Sequence, residues 1–160
     1  MRRATRDDAP ALAELSVESS AWYARFAPDA FAEAERDGFA QWIAEGWDDG
    51  PTTLALVAEI EGTIAGYLEA VVQEPEPWRA GSSATATFRE RRLFVNAVLT
   101  AEAYRRRGIA SQLVERAEAW GREHGATVAL LDTWAESPVS VPFWKHLRYA
   151  PRSIVLRKDL

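Results

Sequence analysis

The last third of the chain constrains the fold most strongly, because two apolar runs there flank one amphipathic segment. The runs are residues 93–99 and 128–131, and both are almost entirely apolar. Between them, a predicted helix over residues 109–124 carries apolar residues at helical spacing: Ile109, Leu113, Ala117 and Trp120. Gly125 suits the left-handed position that ends such a helix. Nearly continuous apolar strands are typical of parallel pairs joined by a right-handed crossover, so we predict a parallel strand–helix–strand unit.

The rest of the chain predicts a mixture of helices and strands. Strands are expected at residues 2–4, 52–60, 63–72 and, roughly, 85–99, with Glu61 and Gly62 turning the central hairpin. Helices are expected over residues 9–19, over a second segment ending near Gly46, and over residues 143–147, and a last strand over residues 153–156. Proline, glycine and acidic residues mark residues 73–83 as an exposed loop.

Composition limits the classes of protein that the chain can represent. Its 160 residues, 48% of them apolar, predict a single domain over residues 1–160. The net charge of −5 is made of interspersed charges, which gives no basic face for nucleic acid. The chain has no cysteine, and its two histidines show no metal-ligand spacing. Because neither a secretory signal nor a membrane span is indicated, we expect a cytoplasmic protein without metal, nucleic-acid or membrane partners.

Three consecutive arginines precede Gly108 at the predicted start of the helix. Cations at the positive end of a helix dipole are disfavoured by roughly 0.3–1 kcal/mol each, so an anion is expected nearby. Free amides at the helix start, the missing side chain of Gly108, the small Ala110 and the hydroxyl of Ser111 together suit a pyrophosphate. The turn also lies at the carboxyl end of a parallel strand, where α/β proteins commonly bind ligands. The alternative is a solvated arginine-rich surface turn.

The pattern Arg105-x-x-Gly108-x-Ala110, entered through Tyr104, resembles the acetyl-CoA signature of the GNAT superfamily of N-acetyltransferases. The resemblance covers nearly the whole chain. It implies the GNAT acyl-CoA N-acyltransferase fold, a three-layer α/β (α+β) architecture whose mixed central sheet of about six or seven strands is flanked by about four helices. It also implies acetyl transfer from acetyl-CoA to a primary amine of a small molecule or peptide, by direct attack in a ternary complex and without a metal.

The same resemblance implies which residues hold acetyl-CoA. The pantetheine arm is expected along the backbone of Val98, Leu99 and Thr100. The pyrophosphate is expected on the backbone amides of seven consecutive residues: Arg105, Arg106, Arg107, Gly108, Ile109, Ala110 and Ser111. Ser137 joins the predicted cofactor residues, since it stands where the family's later motif often has asparagine.

That later motif departs from the family at a residue with a chemical role. The family often has Phe-Tyr, where the tyrosine donates a proton to the departing CoA thiolate, but this chain has Phe143-Trp144. An indole N–H donates a hydrogen bond but is not an acid, so direct protonation by Trp144 is excluded. A free thiol titrates near about 8.5, so departure without a protein acid is feasible. Trp144 is also interpretable as a packing residue.

The sequence does not identify the general base, because the family's frequent glutamate position falls on Asn96. An asparagine cannot accept the proton, although it can position a water. Glu69, which shares side-chain parity with Tyr67 on the preceding strand, is the first candidate carboxylate, and Asp132 is the second. A solvated or salt-bridged role is the alternative for each.

Trp22, Tyr23 and Phe26 fall where the family has its acceptor pocket, between the first two helices, and would suit an apolar or aromatic amine. Core packing is the alternative for these three. Two further functions stay open: a non-catalytic acyl-CoA-binding sensor or regulatory module, and an interaction module with an unused cofactor site. The sequence does not identify the amine, and it leaves a homodimer open.

Overall fold

One mixed sheet organises the molecule in the computed structural model, which describes residues 1–75, 89–153, 155 and 158. The β-branched and aliphatic runs form its strands: β1 (Arg2–Arg3), β2 (Thr53–Ile60), β3 (Thr63–Gln73), β4 (Arg92–Thr100) and β5 (Val128–Leu131). The helices are α1 (Ala9–Phe26), α2 (Arg36–Glu45), α3 (Ile109–Glu123) and α4 (Ser140–His146). Short 3₁₀ turns at Arg6–Asp8 and Glu102–Tyr104 precede α1 and α3.

The strand order is β1-β2-β3-β4-β5, and only the last pair is parallel. The ladder between β4 and β5 runs from the pair Arg92 and Val128 to the pair Val95 and Leu131. β4 then continues to Thr100, whereas β5 ends at Leu131. The two parallel strands therefore part beyond Val95 and Leu131, and we call this opening the β4–β5 fork.

Helices cover both faces of the sheet. On one face, Leu12 and Leu15 of α1 pack with Val57 and Tyr67. On the other face, the buried stripe of α3 packs against Leu68 and Val95. As predicted, that stripe contains Ile109, Leu113, Val114, Ala117 and Trp120, together with Gly121. The predicted parallel strand–helix–strand unit and the left-handed Gly125, whose φ is 80°, are confirmed.

The first helix is longer than predicted. It runs to Phe26, so the predicted end at Ser19 is wrong, and Trp22, Tyr23 and Phe26 lie inside the helix instead of after it. Serine is tolerated within this helix because Ser16 and Ser20 donate their hydroxyls to the carbonyls of Leu12 and Val17. The residue that prevents the helix from continuing is Pro28, two positions after its last residue, Phe26.

The strand count is also lower than predicted. The described residues form five strands, not six or seven, and four α-helices, as expected. β4 begins at Arg92; the predicted start at residue 85 lies outside the described residues, and Arg89, Glu90 and Arg91 are not in a strand because three adjacent charged side chains favour solvent. The predicted strand over residues 153–156 falls partly outside the described residues, and Ser153 and Val155 are not in a strand. The described helices include none long and apolar enough to span a membrane.

Candidate acyl-transfer site

The turn before α3 presents free backbone amides. Arg106 and Gly108 have positive φ angles of 63° and 76°, a conformation that costs energy at Arg106 and none at glycine. Alternating backbone of this kind turns successive N–H groups toward one side and forms an anion-binding concavity. The amide of Gln112 donates to the carbonyl of Gly108 at 3.0 Å, and no side chain caps the amides before it. The start of α3 can therefore hold an anion through its main chain.

The three arginines of this turn have different surroundings. Arg105 donates to Glu18 of α1 at 3.0 Å and to the carbonyl of Thr100 at 3.3 Å, so its charge is balanced within the protein. Arg107 donates to the carbonyl of Ala103 and lies over the ring of Tyr104. Arg106 is exposed, and its side chain forms no hydrogen bond or ion pair in the described part of the chain. The expectation that all three cations need an anion is thus wrong for Arg105, because Glu18 already supplies one.

A glycine on the neighbouring strand lets α3 approach the sheet. A Cβ on Gly66 of β3 would lie 2.7 Å from Cγ2 of Ile109 and 3.2 Å from the carbonyl oxygen of Leu99. The first distance is shorter than real Cβ contacts and the second is tight, so a side chain at this position would force the first turn of α3 to shift. Gly66 therefore fixes the position of the anion-binding turn relative to β4, although nothing in its local sequence indicates this role.

A cavity of about 910 Å³ joins this turn to the β4–β5 fork and continues to α1 and α4. Most of the predicted site residues line it: Asn96, Val98, Leu99, Thr100, Arg105, Arg106, Gly108, Ile109, Ala110, Ser111, Trp144, Trp22 and Tyr23. Four do not: Glu69, Arg107, Ser137 and Phe26. Its volume lies within the range of about 300–1,000 Å³ that is usual for small-molecule sites.

Thr100, which lines this cavity, has a buried polar atom. Its Oγ1 is buried and has no hydrogen-bond partner among the described residues. Buried hydroxyl groups are normally paired, because an unpaired one costs roughly 1–3 kcal/mol.

A three-residue hydrogen-bond network lies at the fork. Glu69 accepts one hydrogen bond from Tyr67 and one from Nδ2 of Asn96, each at 3.0 Å. Burial raises the pKa of Tyr67 well above its usual range, and the nearby charge of Glu69 raises it further, so the phenol keeps its proton and donates. The shared side-chain parity of Tyr67 and Glu69 is confirmed.

A β-bulge brings Asn96 into that network. Glu69 faces Ala97 and Ala70 faces Val95 across the ladder, which leaves Asn96 as the extra residue of β4. A bulge of this kind changes the direction of a side chain, and here it directs Asn96 both to Glu69 and to the cavity.

The second candidate carboxylate is Asp132, directly after β5. It lines the cavity beside the fork, and it forms no ion pair or hydrogen bond within the part of the chain that the structure describes. Asn96 and Asp132 are thus the first residues beyond the last ladder pair, Val95 and Leu131, on the two diverging strands.

Comparison with known proteins identifies the family to which this architecture belongs. The sequence profile of the Acetyltransferase (GNAT) family matches residues 17–149, which is most of the chain and includes the α3 turn, the fork and α4. The chain belongs to the GNAT acetyltransferase family. It is therefore an acyltransferase, and the resemblance first drawn from Arg105, Gly108 and Ala110 is confirmed. Comparison with curated proteins gives no match.

Solved structures show the same fold at low sequence identity. A mutant of the BH1408 protein from Bacillus halodurans has a TM-score of 0.85 and 18% identity, with 99% of this chain and 98% of that chain covered. Aminoglycoside N-acetyltransferase AAC(6')-Iy in complex with CoA gives 0.64 and 17%, covering 99% and 98%. Aminoglycoside 6'-N-acetyltransferase AAC(6')-IG from Acinetobacter haemolyticus gives 0.69 and 16%, covering 99% and 96%.

In this GNAT acyltransferase, two residues that depart from the family motif, Ser137 before α4 and Trp144 within it, have structural contacts. Ser137 is buried, and its hydroxyl accepts the amide of Ser140 at 3.0 Å, so it caps the start of α4 and does not reach the cavity. Trp144 packs edge-on against Phe143 and Tyr149 and also lines the cavity. The packing and ligand-facing interpretations of Trp144 are therefore compatible, while cofactor contact by Ser137 stays a prediction.

Several residues that line or support the site could not be predicted from the sequence. Glu18 lies 87 positions from its partner Arg105, and Phe31 and Trp134 line the cavity from separate connecting segments. Ser140 shares a hydrogen bond of 2.9 Å with Tyr23, 117 positions away. No local pattern marks these residues, since only the fold brings them to one cavity.

Proposed function

We propose that this GNAT acyltransferase is an N-acetyltransferase that transfers the acetyl group of acetyl-CoA to a primary amine of a small molecule, by direct attack in a ternary complex. The observation that carries the proposal is that a single cavity connects the cofactor and acceptor parts of the site. One cavity runs from the uncapped amides of α3, past Thr100, to the two polar residues of the fork, Asn96 and Asp132. The CoA bound to AAC(6')-Iy supports this choice of cosubstrate.

The chain's own residues fit acetyl-CoA at two points. The amides of residues 106–111 would hold the pyrophosphate, and the exposed guanidinium of Arg106 would add a charge-assisted hydrogen bond. Beyond Val95, β4 pairs with no described strand on the β5 side, so the backbone of Val98, Leu99 and Thr100 would pair with the amides of the pantetheine arm. The cosubstrate supplies an acetyl thioester, on which an amine nitrogen replaces the CoA sulfur.

Deprotonation of the amine falls to a carboxylate at the fork. Both oxygens of Glu69 already accept hydrogen bonds, and Glu69 does not line the cavity, whereas Asp132 lines it without a partner in the described residues. We therefore favour Asp132 as general base, which reverses the order expected from sequence. Glu69 holds Asn96, whose amide orients the amine or a water beside it.

The leaving sulfur needs little help from the protein. Trp144 offers an indole N–H that stabilises negative charge without giving up its proton. With a thiol pKa of about 8.5, the sulfur leaves as a moderately stable thiolate and takes its proton from solvent.

Calorimetric titration tests the cofactor half of the proposal. We expect acetyl-CoA and CoA to bind to the wild type, pantetheine without the pyrophosphate to bind far more weakly, and Gly108→Trp to abolish CoA binding. Among the described residues, a Cβ at Gly108 meets only Nε2 of Gln112, at 3.6 Å, so a side chain has room there to block the turn, although the positive φ strains any residue but glycine.

The matched control for that titration is Gly62→Trp. Gly62 has a φ of 79°, like the 76° of Gly108, but it lies in the remote β2–β3 turn with nothing near its Cβ. CoA binding that survives in Gly108→Trp would contradict the proposed cofactor site. Tight CoA binding with no thiol release over a broad panel of amines would favour the non-catalytic acyl-CoA-binding module instead.

A further inference from the structure

The end of the cavity beyond the fork is lined by aromatic side chains from three separate segments. Trp22 and Tyr23 come from α1, Phe31 from the α1–α2 connection and Trp134 from the β5–α4 connection. Tyr23 and Phe31 have ring centroids 4.8 Å apart, and those of Phe31 and Trp134 are 5.2 Å apart. These contacts join the rings into one continuous surface that faces the cavity.

These aromatic residues do not belong to the protein core. The four side chains appear in neither hydrophobic cluster of the molecule, and Trp134 is 37% exposed. α1 buries residues only in its first half: Ala9, Leu12, Ala13 and Leu15. Its second half carries Trp22 and Tyr23 beside the cavity. Leaving large aromatic surface in water is unfavourable, so a ligand that covers these rings would be bound in part by their burial. The core interpretation of Trp22 and Tyr23 is therefore disfavoured.

The charges of the cavity limit the ligand further. Among the described residues that line it, only Glu18 and Asp132 have carboxylates. Glu18 is already engaged, because its Oε1 accepts from Arg105 at 3.0 Å and from the amide of Glu102 at 2.6 Å. Asp132 is left to balance one positive charge, and Arg106 lines the same cavity as a further cation. A ligand with several ammonium groups would bury charges that the cavity cannot pair.

We propose that the acceptor is a monoamine joined to an aromatic ring by a short alkyl chain. Its ring packs among Phe31, Trp134 and Trp22, and its nitrogen lies toward Asp132 and Asn96. This inference rests on the proposed function. The reaction forms a C–N bond and breaks the C–S bond of the thioester; the amine loses one proton and the CoA sulfur gains one, which gives an N-acetyl arylalkylamine and free CoA. The acceptor would then differ in charge from the aminoglycosides of the structural neighbours.

Thiol release measured over three amine classes tests this. We expect 2-phenylethylamine to exceed n-hexylamine in kcat/KM by roughly two- to tenfold, the size of a specific aromatic contact. Both should exceed spermidine and neamine by at least about a hundredfold, since unpaired buried charge is costly. An equal or higher kcat/KM for spermidine or neamine would overturn the inference.

Variants separate this inference from general apolar binding. Phe31→Leu and Trp134→Leu should raise KM for 2-phenylethylamine several-fold while KM for n-hexylamine and the Kd for CoA stay within about twofold, because leucine keeps apolar surface but removes the ring. Trp42→Leu is the control, since Trp42 is 66% exposed on α2 and does not line the cavity. Unchanged KM values for 2-phenylethylamine in both cavity variants would contradict the aromatic subsite.

The two proposals fail in different ways. Absence of transfer to every amine would refute the proposed function, and the aromatic subsite would then be tested by calorimetric titration of 2-phenylethylamine into CoA-saturated protein. Binding that Trp134→Leu weakens and Trp42→Leu does not would support the subsite on its own. No detectable binding, or binding equal in the two variants, would overturn it.

Discussion

The two ends of the cavity are built in opposite ways. The anion-binding end is a run of consecutive residues, 105–111, that acts through main-chain amides and two positive φ angles. The acceptor end is a set of side chains from α1, the α1–α2 connection and the segment after β5. A site made of backbone groups is encoded by a few adjacent residues. A site made of side chains forms only after folding has brought separate segments together.

This difference predicts how each end responds to substitution. At the anion-binding end, changes that remove a side chain should matter little, and changes that alter the main chain or fill its concavity should matter greatly. At the acceptor end, side-chain chemistry should decide the rate and the choice of substrate, while CoA affinity should stay constant. The following predictions test that division.

The largest effect is expected at the fork. Asp132→Asn should lower kcat by about 10²–10⁴-fold, the usual contribution of a general base, with the Kd for CoA unchanged. Activity is measured by thiol release, and Kd by calorimetry.

Glu69→Gln is the matched variant for this prediction, since it is isosteric and belongs to the network of Tyr67 and Asn96. We expect a loss of about tenfold or less, through misorientation of Asn96. A larger loss in Glu69→Gln than in Asp132→Asn would restore Glu69 as the base.

The next effect concerns Gly66, which fixes the position of the anion-binding turn relative to β4. Gly66→Ala should destabilise the protein by about 1–3 kcal/mol, because its Cβ would meet Ile109 and the carbonyl of Leu99. It should also weaken CoA binding, since the first turn of α3 must shift. Urea denaturation and calorimetry measure the two quantities.

A double variant sharpens that prediction. Ile109→Ala removes the atom that lies 2.7 Å from the new Cβ, so the combined loss in Gly66→Ala with Ile109→Ala should be smaller than the sum of the single losses. Strict additivity would show that Gly66 does not act through its contact with α3.

How far the sequence predicts the molecule follows the same division between local and distant features. The α3 turn, the parallel unit and the hairpin were predictable, because caps, glycines and hydrophobic periodicity are local. The end of α1 was not, because Ser16 and Ser20 donate their hydroxyls to carbonyls within the helix, which continues past the predicted end at Ser19.

The acceptor end shows the limit most clearly. Trp22 and Tyr23 were associated with the substrate, but their partners Phe31, Trp134 and Ser140 were not, because each contact joins separate segments. Phe26 stacks on Trp22, with ring centroids 5.4 Å apart, and does not line the cavity, so its contact with the substrate stays a prediction.

A smaller effect separates the arginines of the α3 turn. Arg106→Asn should weaken CoA binding by about three- to tenfold, because a partly exposed charge-assisted contact contributes around 1 kcal/mol. Asparagine tolerates the positive φ of this position, so the main chain is preserved.

Arg107→Asn is the control for that prediction, since the guanidinium of Arg107 already donates to Ala103 and covers Tyr104. Its Kd for CoA should stay within about twofold, and higher salt should reduce only the difference between Arg106→Asn and the wild type. Equal losses in both variants would mean that net charge, and not the position of Arg106, determines affinity.

The smallest expected effect concerns the start of α1, the helix that carries Trp22 and Tyr23. It tests whether stabilising contacts there leave CoA affinity at the anion-binding end unchanged. Asp8, just before α1, accepts from Arg2 at 2.7 and 2.8 Å and from the amide of Thr5 at 2.8 Å. The hydrogen bonds from Arg2 contribute most to lowering the pKa of Asp8 to about 2. Because Arg2 is partly exposed, Asp8→Asn should cost only about 1 kcal/mol of unfolding free energy at pH 7.

The pH dependence of that difference has a definite sign. The unfolded carboxyl takes up its proton near pH 3.8 and the folded one near pH 2, so the contribution of Asp8 is complete above about pH 5 and is lost as the pH falls toward 2. Urea denaturation of the wild type and Asp8→Asn from pH 7 to pH 3 should therefore show converging stabilities. The Kd for CoA at pH 7 should be equal in the two proteins. A constant stability difference down to pH 3 would contradict the ion pair, and weaker CoA binding in Asp8→Asn would show that the two ends of the cavity are coupled through α1.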